Sequence, residues 1–372
     1  MEADERTYKQ QSFNERVIYV SETVFKNLKI DGVITDIVCS DGVITKIGKT
    51  ERSGTDFNGK KVYPGLIDIH THGIGGIDTM DAQPEKFTML YAQNGTTSIL
   101  PTTMTCTHEA IKAVLDAPVP EIGANILGYH LEGPYINEKH IGAQNSECVR
   151  KPDIDEFKAY DNIKMVTLAP EIEGAEEYIK KSKAVISIGH TDADYDETVK
   201  AAQAGAKCLT HTFNAMPPLH HRNPGVVGAG FDENMYAQVI CDGKHIHGSV
   251  IRILYKLFGA ERMILISDSI RATGLPDGEY ELGGQMMIVR DKTARTAGGA
   301  LAGSTSTLLE CVRKAIEFGI PEKDAFRMAS QTPAELIGVN KGIIKEGYDC
   351  DLITVNENNE LCNVIIGGKV IK

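Results

Sequence analysis

Two histidines, His70 and His72, directly follow the apolar run GLIDI at residues 65–69. In an extended strand, side chains two residues apart share a face. A strand over residues 66–72 would therefore point both imidazoles the same way, and the glycines at 73, 75 and 76 would end it and let backbone or ligand approach. Other apolar runs close in a similar way: on His130 and Glu132, on His190, on His211, and on Ser267 with Asp268, while His245 follows a further run. A lone histidine of this kind is ordinarily a satisfied core residue. Five of the 11 histidines at such ends are a different matter, because independent core histidines have no reason to gather there. Neutral imidazole and carboxylate are good ligands for Zn, Fe, Mn or Co, and ligands drawn from separate strands leave positions open for water and substrate. A metal so held lowers the pKa of bound water and polarises a scissile carbonyl. Asp268 is then placed to take a proton from that water and return it to a leaving nitrogen; the plainer reading is an Asp that caps its own loop.

These residues need a scaffold that brings separate strand ends to one rim. Eight apolar strand candidates run through the middle of the chain: GLIDIHTHG, TTSILPTTM, NILGYHLEGP, IKMVTLAPE, AVISIGHTD, AKCLTHTFNAM, YAQVICDGKHI and RMILISDSI. Helical patterns such as PEKFTMLYAQNG, HEAIKAVLDA, GAEEYIKKSK, DYDETVKAAQAG and SVIRILYKLFG separate most of them, several closing on Gly. Eight such alternations over about 275 residues predict an α/β fold, a (β/α)8 TIM-like barrel, whose chemistry lies at the C-terminal ends of its strands. YELGGQMMIVRDKTARTAGGALAGS reads as a β-hairpin insertion after the eighth strand, before the delayed helix STLLECVRKAIEFG. Short alternating segments from about residue 17 to 62, and again in the last thirty or so residues, could bury little core alone. They predict one small β-sandwich built from both termini, residues 1–62 and 340–372, flanking a barrel over residues 63–339.

Composition bounds the function. A net charge of −12 argues against a nucleic-acid or anionic-membrane surface while leaving room for an anionic small substrate in a local basic pocket. No window reaches the roughly 18 apolar residues of a membrane span, and the polar start MEADERTYKQ has no apolar segment behind it. Eight scattered cysteines without a CxxC pair read as reduced thiols. A cytoplasmic protein is the expectation.

The pattern resembles the amidohydrolase superfamily, whose first strand carries His-x-His and whose last carries the catalytic Asp. Within it the similarity is closest to the N-acetylglucosamine-6-phosphate deacetylase family, carried by PGLIDIHTHG (64–73), HLEGPYIN (130–137), GHTDA (189–193), THTFNAMPPLHHRNPG (210–225), DGKH (242–245), SDSIRATG (267–274) and LAGST (301–305). HTHG alone is weak; HLEGP with THTFNAM and LAGS is specific. Many superfamily members bridge two metals with a carboxylated lysine at the end of strand four. In this chain that strand ends TLAPE, with Lys164 at its start, so the resemblance implies Glu132 as the bridging carboxylate. Some deacetylases of this family lack the first-strand histidines and hold one metal, whereas this chain keeps His70 and His72.

The resemblance implies hydrolysis of N-acetyl-D-glucosamine 6-phosphate to D-glucosamine 6-phosphate and acetate, in amino-sugar catabolism and cell-wall sugar recycling. It further implies one or two divalent metal ions per chain, held by Glu132, His190 and His211 and by His70, His72 and Glu132, with Asp268 catalytic. Substrate contacts are implied at Ala143, Asn214, Ala215, Arg222, Asp242, Gly243, Lys244, His245, Leu301, Ala302 and Gly303. The Arg222 guanidinium suits a phosphate, with Asn214 and the Ala215 amide beside it. Without the family context, a surface salt bridge is the better reading of Arg222. His245 could hold a sugar hydroxyl, the amide oxygen or the phosphate. His220 and His221 read as surface residues, and His108 and His140 receive no role. The resemblance also implies a homodimer in which Arg222 reaches the neighbouring subunit's substrate. Gly298, Gly299 and Gly303 around LAGST are expected to give a mobile flap. The rivals are another amidohydrolase reaction, such as cyclic amide opening, deamination or N-acetyl amino acid deacetylation, and a barrel used only as a scaffold.

Overall fold

The computed structural model describes residues 22–372. The polar start and residues 17–21, the first part of the first expected strand, lie outside the described residues. Eight strands, β1 (Leu66–Thr71), β2 (Thr96–Thr103), β3 (Tyr129–Glu132), β4 (Ile163–Leu168), β5 (Val185–Ile188), β6 (Cys208–Leu209), β7 (Tyr236–Ile240) and β8 (Met263–Ile266), pair in chain order, each parallel to the next. That order is the (β/α)8 barrel. No ladder joins β8 to β1; the seam is bridged by the Asp268 amide on the His70 carbonyl, at 3.0 Å, and by the buried Asp68 carboxylate, which accepts from the Ser267 amide and hydroxyl.

Alternation along the strands divides the core. Met165, Ile240, Ile264 and Ile266 join an inner cluster with Ala334, Leu336 and Ile337 of helix Gln331–Ile337. Their sequence neighbours Val166, Val239, Met263 and Leu265 face the helices in the larger outer cluster. Five of the patterned helices form at Pro84–Gln93, His108–Asp116, Ala175–Lys181, Tyr195–Ala204 and Gly248–Arg262, and a sixth, Leu308–Glu317, follows the insertion behind a Thr307/Glu310 capping box. Helix Gly225–Asp232 was not predicted, because its glycines are poor helix formers. Packing explains one of them: a Cβ on Gly230 would lie 2.6 Å from Leu209 Cδ1. Between β3 and β4 there is no α-helix, only a long loop with 3-10 turns at Glu138–His140 and Ser146–Cys148. The insertion after β8 holds three antiparallel strands, Gly278–Leu282, Gln285–Arg290 and Thr293–Thr296.

Strands from both ends of the chain meet in one eight-stranded sheet, where Lys61–Pro64 pairs antiparallel with Leu352–Val355. One face buries Phe25, Leu28, Ile37, Ile44, Leu352 and Ile365 against each other. The other face gives Ile353, Val355 and Val364 to the barrel's outer core. The sheet curls until the Ile44 amide reaches the Tyr348 carbonyl, at 2.9 Å, and the Cys350 amide that of Gly42, at 2.7 Å. Among the described residues no helix is long and apolar enough to cross a membrane.

Candidate metal centre and active site

The C-terminal ends of β1, β3, β5, β6 and β8 bring six buried side chains together in two groups: His70, His72 and Asp268, and Glu132, His190 and His211. His70 Nε2 lies 3.3 Å from His72 Nε2, and His190 Nε2 lies 3.1 Å from His211 Nε2. Glu132 joins the groups: its Oε1 is 3.2, 3.2 and 3.0 Å from Nε2 of His70, His190 and His211, and its Oε2 is 3.2 Å from Nε2 of His72. Asp268 Oδ1 is 3.5 and 3.3 Å from the same atoms of His70 and His72. Ligands about 2.0–2.1 Å from an ion at tetrahedral angles are themselves about 3.3–3.4 Å apart, so the donor atoms are spaced to fit divalent ions.

The imidazoles are held for that purpose by their other nitrogens. Nδ1 of His70 meets Gln238 Oε1 at 3.0 Å, that of His72 the Thr102 carbonyl at 3.1 Å, and that of His190 the His140 carbonyl at 2.8 Å. Each oxygen partner can only accept, so the proton sits on Nδ1 and the Nε2 lone pair faces inward. Among the described residues, Nδ1 of His211 is buried without a hydrogen-bond partner. Burial lowers the His211 pKa and favours the neutral form that ligates. Burial also opposes charge on His70 and His72, but Glu132 and Asp268 outweigh it and pull both pKa values up, His72 the further. No lysine or arginine pairs with either carboxylate among the described residues, so the two acids draw positive charge into the cluster, and a divalent cation meets that demand.

Three of the six residues sit in left-handed backbone: His190 at φ 48°, His211 at 26° and Asp268 at 48°. Non-glycine residues avoid that region, and such strain collects at functional sites. After β6, which ends at Leu209, earlier than the apolar pattern predicts, the chain coils so that Phe213 and Ala215 also have positive φ. His130, the remaining strand-end histidine, is not a ligand: its Nδ1 meets the Ile69 carbonyl at 3.1 Å and its Nε2 the Thr167 hydroxyl at 2.8 Å. Lys164 lies at the start of β4, at the opposite end from the rim.

A cleft of about 420 Å³ opens above this cluster, lined among others by Ala143, Asn214, Ala215, His245, Leu301 and Gly303. The remaining expected contacts stay outside its lining. Asp242 lies behind His245, accepting its Nδ1–H at 2.8 Å and the amides of Lys244 and His245 at 2.8 and 2.9 Å. Burial opposes charge on both, yet their mutual attraction holds His245 above and Asp242 below the usual pKa. Gly243 and Lys244 are the exposed tip of that turn. Ala302 is buried against the insertion, its amide donated to the Ala294 carbonyl. Arg222 is exposed, and its guanidinium contacts the neighbouring His221 at 2.7 Å.

At the Gly303 end of the expected flap, the Ser304 amide donates to the Asp268 carbonyl at 2.7 Å, the Ile270 amide to the Ser304 carbonyl at 3.1 Å, and a Cβ on Gly303 would lie 2.5 Å from Ile270 Cγ2. LAGS is stitched to the end of the eighth strand. Sequence reasoning missed Lys139, His140 and Gln144, which line the cleft from the β3–β4 loop. Their only signal was position, a few residues beyond a strand end that carries Glu132.

Residues 62–371 match the Amidohydrolase family, and the chain belongs to it. The chain is 39% identical over 334 residues to the N-acetylglucosamine-6-phosphate deacetylase of Bacillus subtilis (strain 168), which covers 83% of this chain and 84% of the relative. It is also 35% identical over 351 residues to the N-acetylgalactosamine-6-phosphate deacetylase of Escherichia coli O157:H7, covering 89% and 93%. Among solved structures, a mutant N-acetyl-D-glucosamine-6-phosphate deacetylase from Mycobacterium smegmatis, in complex with N-acetyl-D-glucosamine-6-phosphate, superposes with a TM-score of 0.87 at 28% identity, covering 94% of this chain and 99% of that one. Within the family the chain falls among the N-acetylglucosamine-6-phosphate deacetylases, as its motifs implied.

Proposed function

We propose that the chain hydrolyses N-acetyl-D-glucosamine 6-phosphate to D-glucosamine 6-phosphate and acetate. The observation that carries this reading is the meeting of two ligand groups on one carboxylate, Glu132, with Asp268 beside them on the floor of a cleft. Glu132, His190 and His211 would hold one ion, and His70, His72 and Glu132 a second; Zn, Fe, Mn and Co all suit these donors. A divalent ion there supplies a water of lowered pKa and an electron-withdrawing partner for the amide carbonyl. Asp268 accepts the proton of the attacking water and passes it to the departing amine. His245, whose pKa Asp242 raises, serves a substrate oxygen from the cleft wall.

Lys139 is the one lysine or arginine among the cleft-lining residues, and it serves the 6-phosphate from within the chain. Arg222, exposed outside its own cleft, serves the neighbouring subunit's phosphate in a homodimer. The protein is cytoplasmic on this reading, and residues 1–62 with 340–372 form one small unit flanking the catalytic residues 63–339. The 35% identity to a galactosamine-type deacetylase favours a second substrate, N-acetyl-D-galactosamine 6-phosphate. The test is acetate release from both phosphorylated sugars and from unphosphorylated N-acetylglucosamine, with metal content measured on the same sample. Activity confined to the phosphorylated sugars supports the reading; a metal-loaded protein inactive on all three overturns it.

A further inference from the structure

We propose that Gln144 is a positioning residue for Glu132 that divides its two carboxylate oxygens between the two ligand groups. This rests on the metal-centre reading of the cluster. Gln144 is 4% exposed and lies in the β3–β4 loop. Its Nε2 donates to Glu132 Oε2, its Oε1 accepts the Thr105 amide at 2.6 Å, and its backbone carbonyl accepts Gln285 Nε2 at 2.9 Å. The orientation of the side-chain amide follows from chemistry. The Thr105 N–H can only donate, so the amide oxygen must face it and the NH2 must face the carboxylate. A flipped amide would set oxygen against oxygen and leave a buried N–H unpaired.

The consequence falls on Glu132. A carboxylate turns readily about its last torsion, and with three imidazoles near Oε1 it could swing both oxygens toward the His190 and His211 side. The donor on Oε2 prevents this. It occupies one lone pair of that oxygen and leaves the other directed to the His72 side, where Nε2 stands at 3.2 Å. Gln144 itself is not paired with any of the four histidines in the hydrogen bonds it makes, so its effect on an ion passes through Glu132 alone.

The experiment is a Zn²⁺ titration of the metal-free full-length protein, followed by calorimetry. The wild type is compared with Gln144→Met, which keeps length and loses the donor, and Gln144→Asn, which keeps the amide and falls a methylene short. Thermal melting of the metal-free proteins checks that each variant folds. The wild type is expected to take up two ions per chain. In both variants the weaker ion should lose about 10–100-fold in affinity, as loss of a ligand's outer partner does, while the tighter ion is unchanged. Two ions at wild-type affinities in both variants, equal weakening of both ions, or a single ion in the wild type would overturn the assignment. A wild type that binds no zinc overturns the metal-centre reading itself, and this inference with it.

Discussion

The Asp268 amide donates to the His70 carbonyl across 3.0 Å, tying the last barrel strand to the first at the level of the metal-ligand cluster. Because Asp268 is also in left-handed backbone, at φ 48°, its side chain turns back over the rim, and Oδ1 lies 3.5 Å from His70 and 3.3 Å from His72. One backbone bond thus sets where the proposed base stands relative to the ligands.

Asp268→Asn keeps the shape of that side chain and removes its capacity to take a proton. Turnover is expected to fall about 10²–10⁴-fold, the usual contribution of a general acid–base group, with KM little changed. Acetate release under saturating substrate measures it, and near-normal turnover would exclude Asp268 as the acceptor of the water's proton.

Gly303→Ala tests the stitching of LAGS to the eighth strand. At φ 58° an alanine is strained, and its Cβ would stand 2.9 Å from the Asp268 carbonyl oxygen. Strain of this kind costs about 1–3 kcal/mol, and crowding in a packed core adds a similar amount. The urea midpoint should drop and turnover with it. A variant as stable as the wild type would show that the turn yields without cost.

The Asp242–His245 pair predicts a pH signature. His245 has its pKa raised from 6.5, so its share of stability is fully present below 6.5 and is lost as pH rises through the folded value. Asp242 has its pKa lowered from 3.8, so its share is present above 3.8 and is lost as pH falls through the folded value. Asp242→Asn should therefore destabilise most between about pH 4 and 6.5, by about 1.5–3 kcal/mol for a buried charged hydrogen bond, and less at alkaline pH. Melting curves of both proteins across that range give the answer; a difference independent of pH would mean the pair is not charged.

Lys139→Gln and Arg222→Gln probe phosphate recognition separately. Each is expected to raise KM for the phosphorylated sugar about 10-fold, the loss of one charge-assisted contact, while leaving kcat and metal content unchanged. A fall in kcat at unchanged KM would place the defect elsewhere than at the phosphate.

What could be read from the sequence follows a physical division. Strand ends were legible because apolar runs close on polar residues, which is how His70, His72, Glu132, His190, His211 and Asp268 were picked out as one set. His130 closes a run equally well, and only its two hydrogen bonds, to the Ile69 carbonyl and the Thr167 hydroxyl, mark it as a core residue. The sixth strand read too long because the pattern through Thr210 and Thr212 continues, and their amides still donate to the Ile188 and Gln238 carbonyls, whereas His211 between them leaves extended backbone at φ 26°. A loop has no period, so Ala143, Asn214, Ala215, Leu301 and Gly303 were reached only through the family resemblance, and nothing in GAQNS reveals that Gln144 folds back onto a carboxylate twelve residues earlier.

The pairing of Lys61–Pro64 with Leu352–Val355 has a consequence during synthesis. The partners Pro64 and Leu352 are 288 residues apart (352 − 64), and a ribosome adding about 5–20 residues per second needs roughly 15–60 s to cover that distance. Throughout that interval the emerging strand has an unsatisfied edge, open to pairing with other chains. Its eventual neighbour is made only after all eight barrel strands, so the nascent polypeptide passes through a stage in which the barrel strands are made while the sheet that closes against them lacks three of its eight strands.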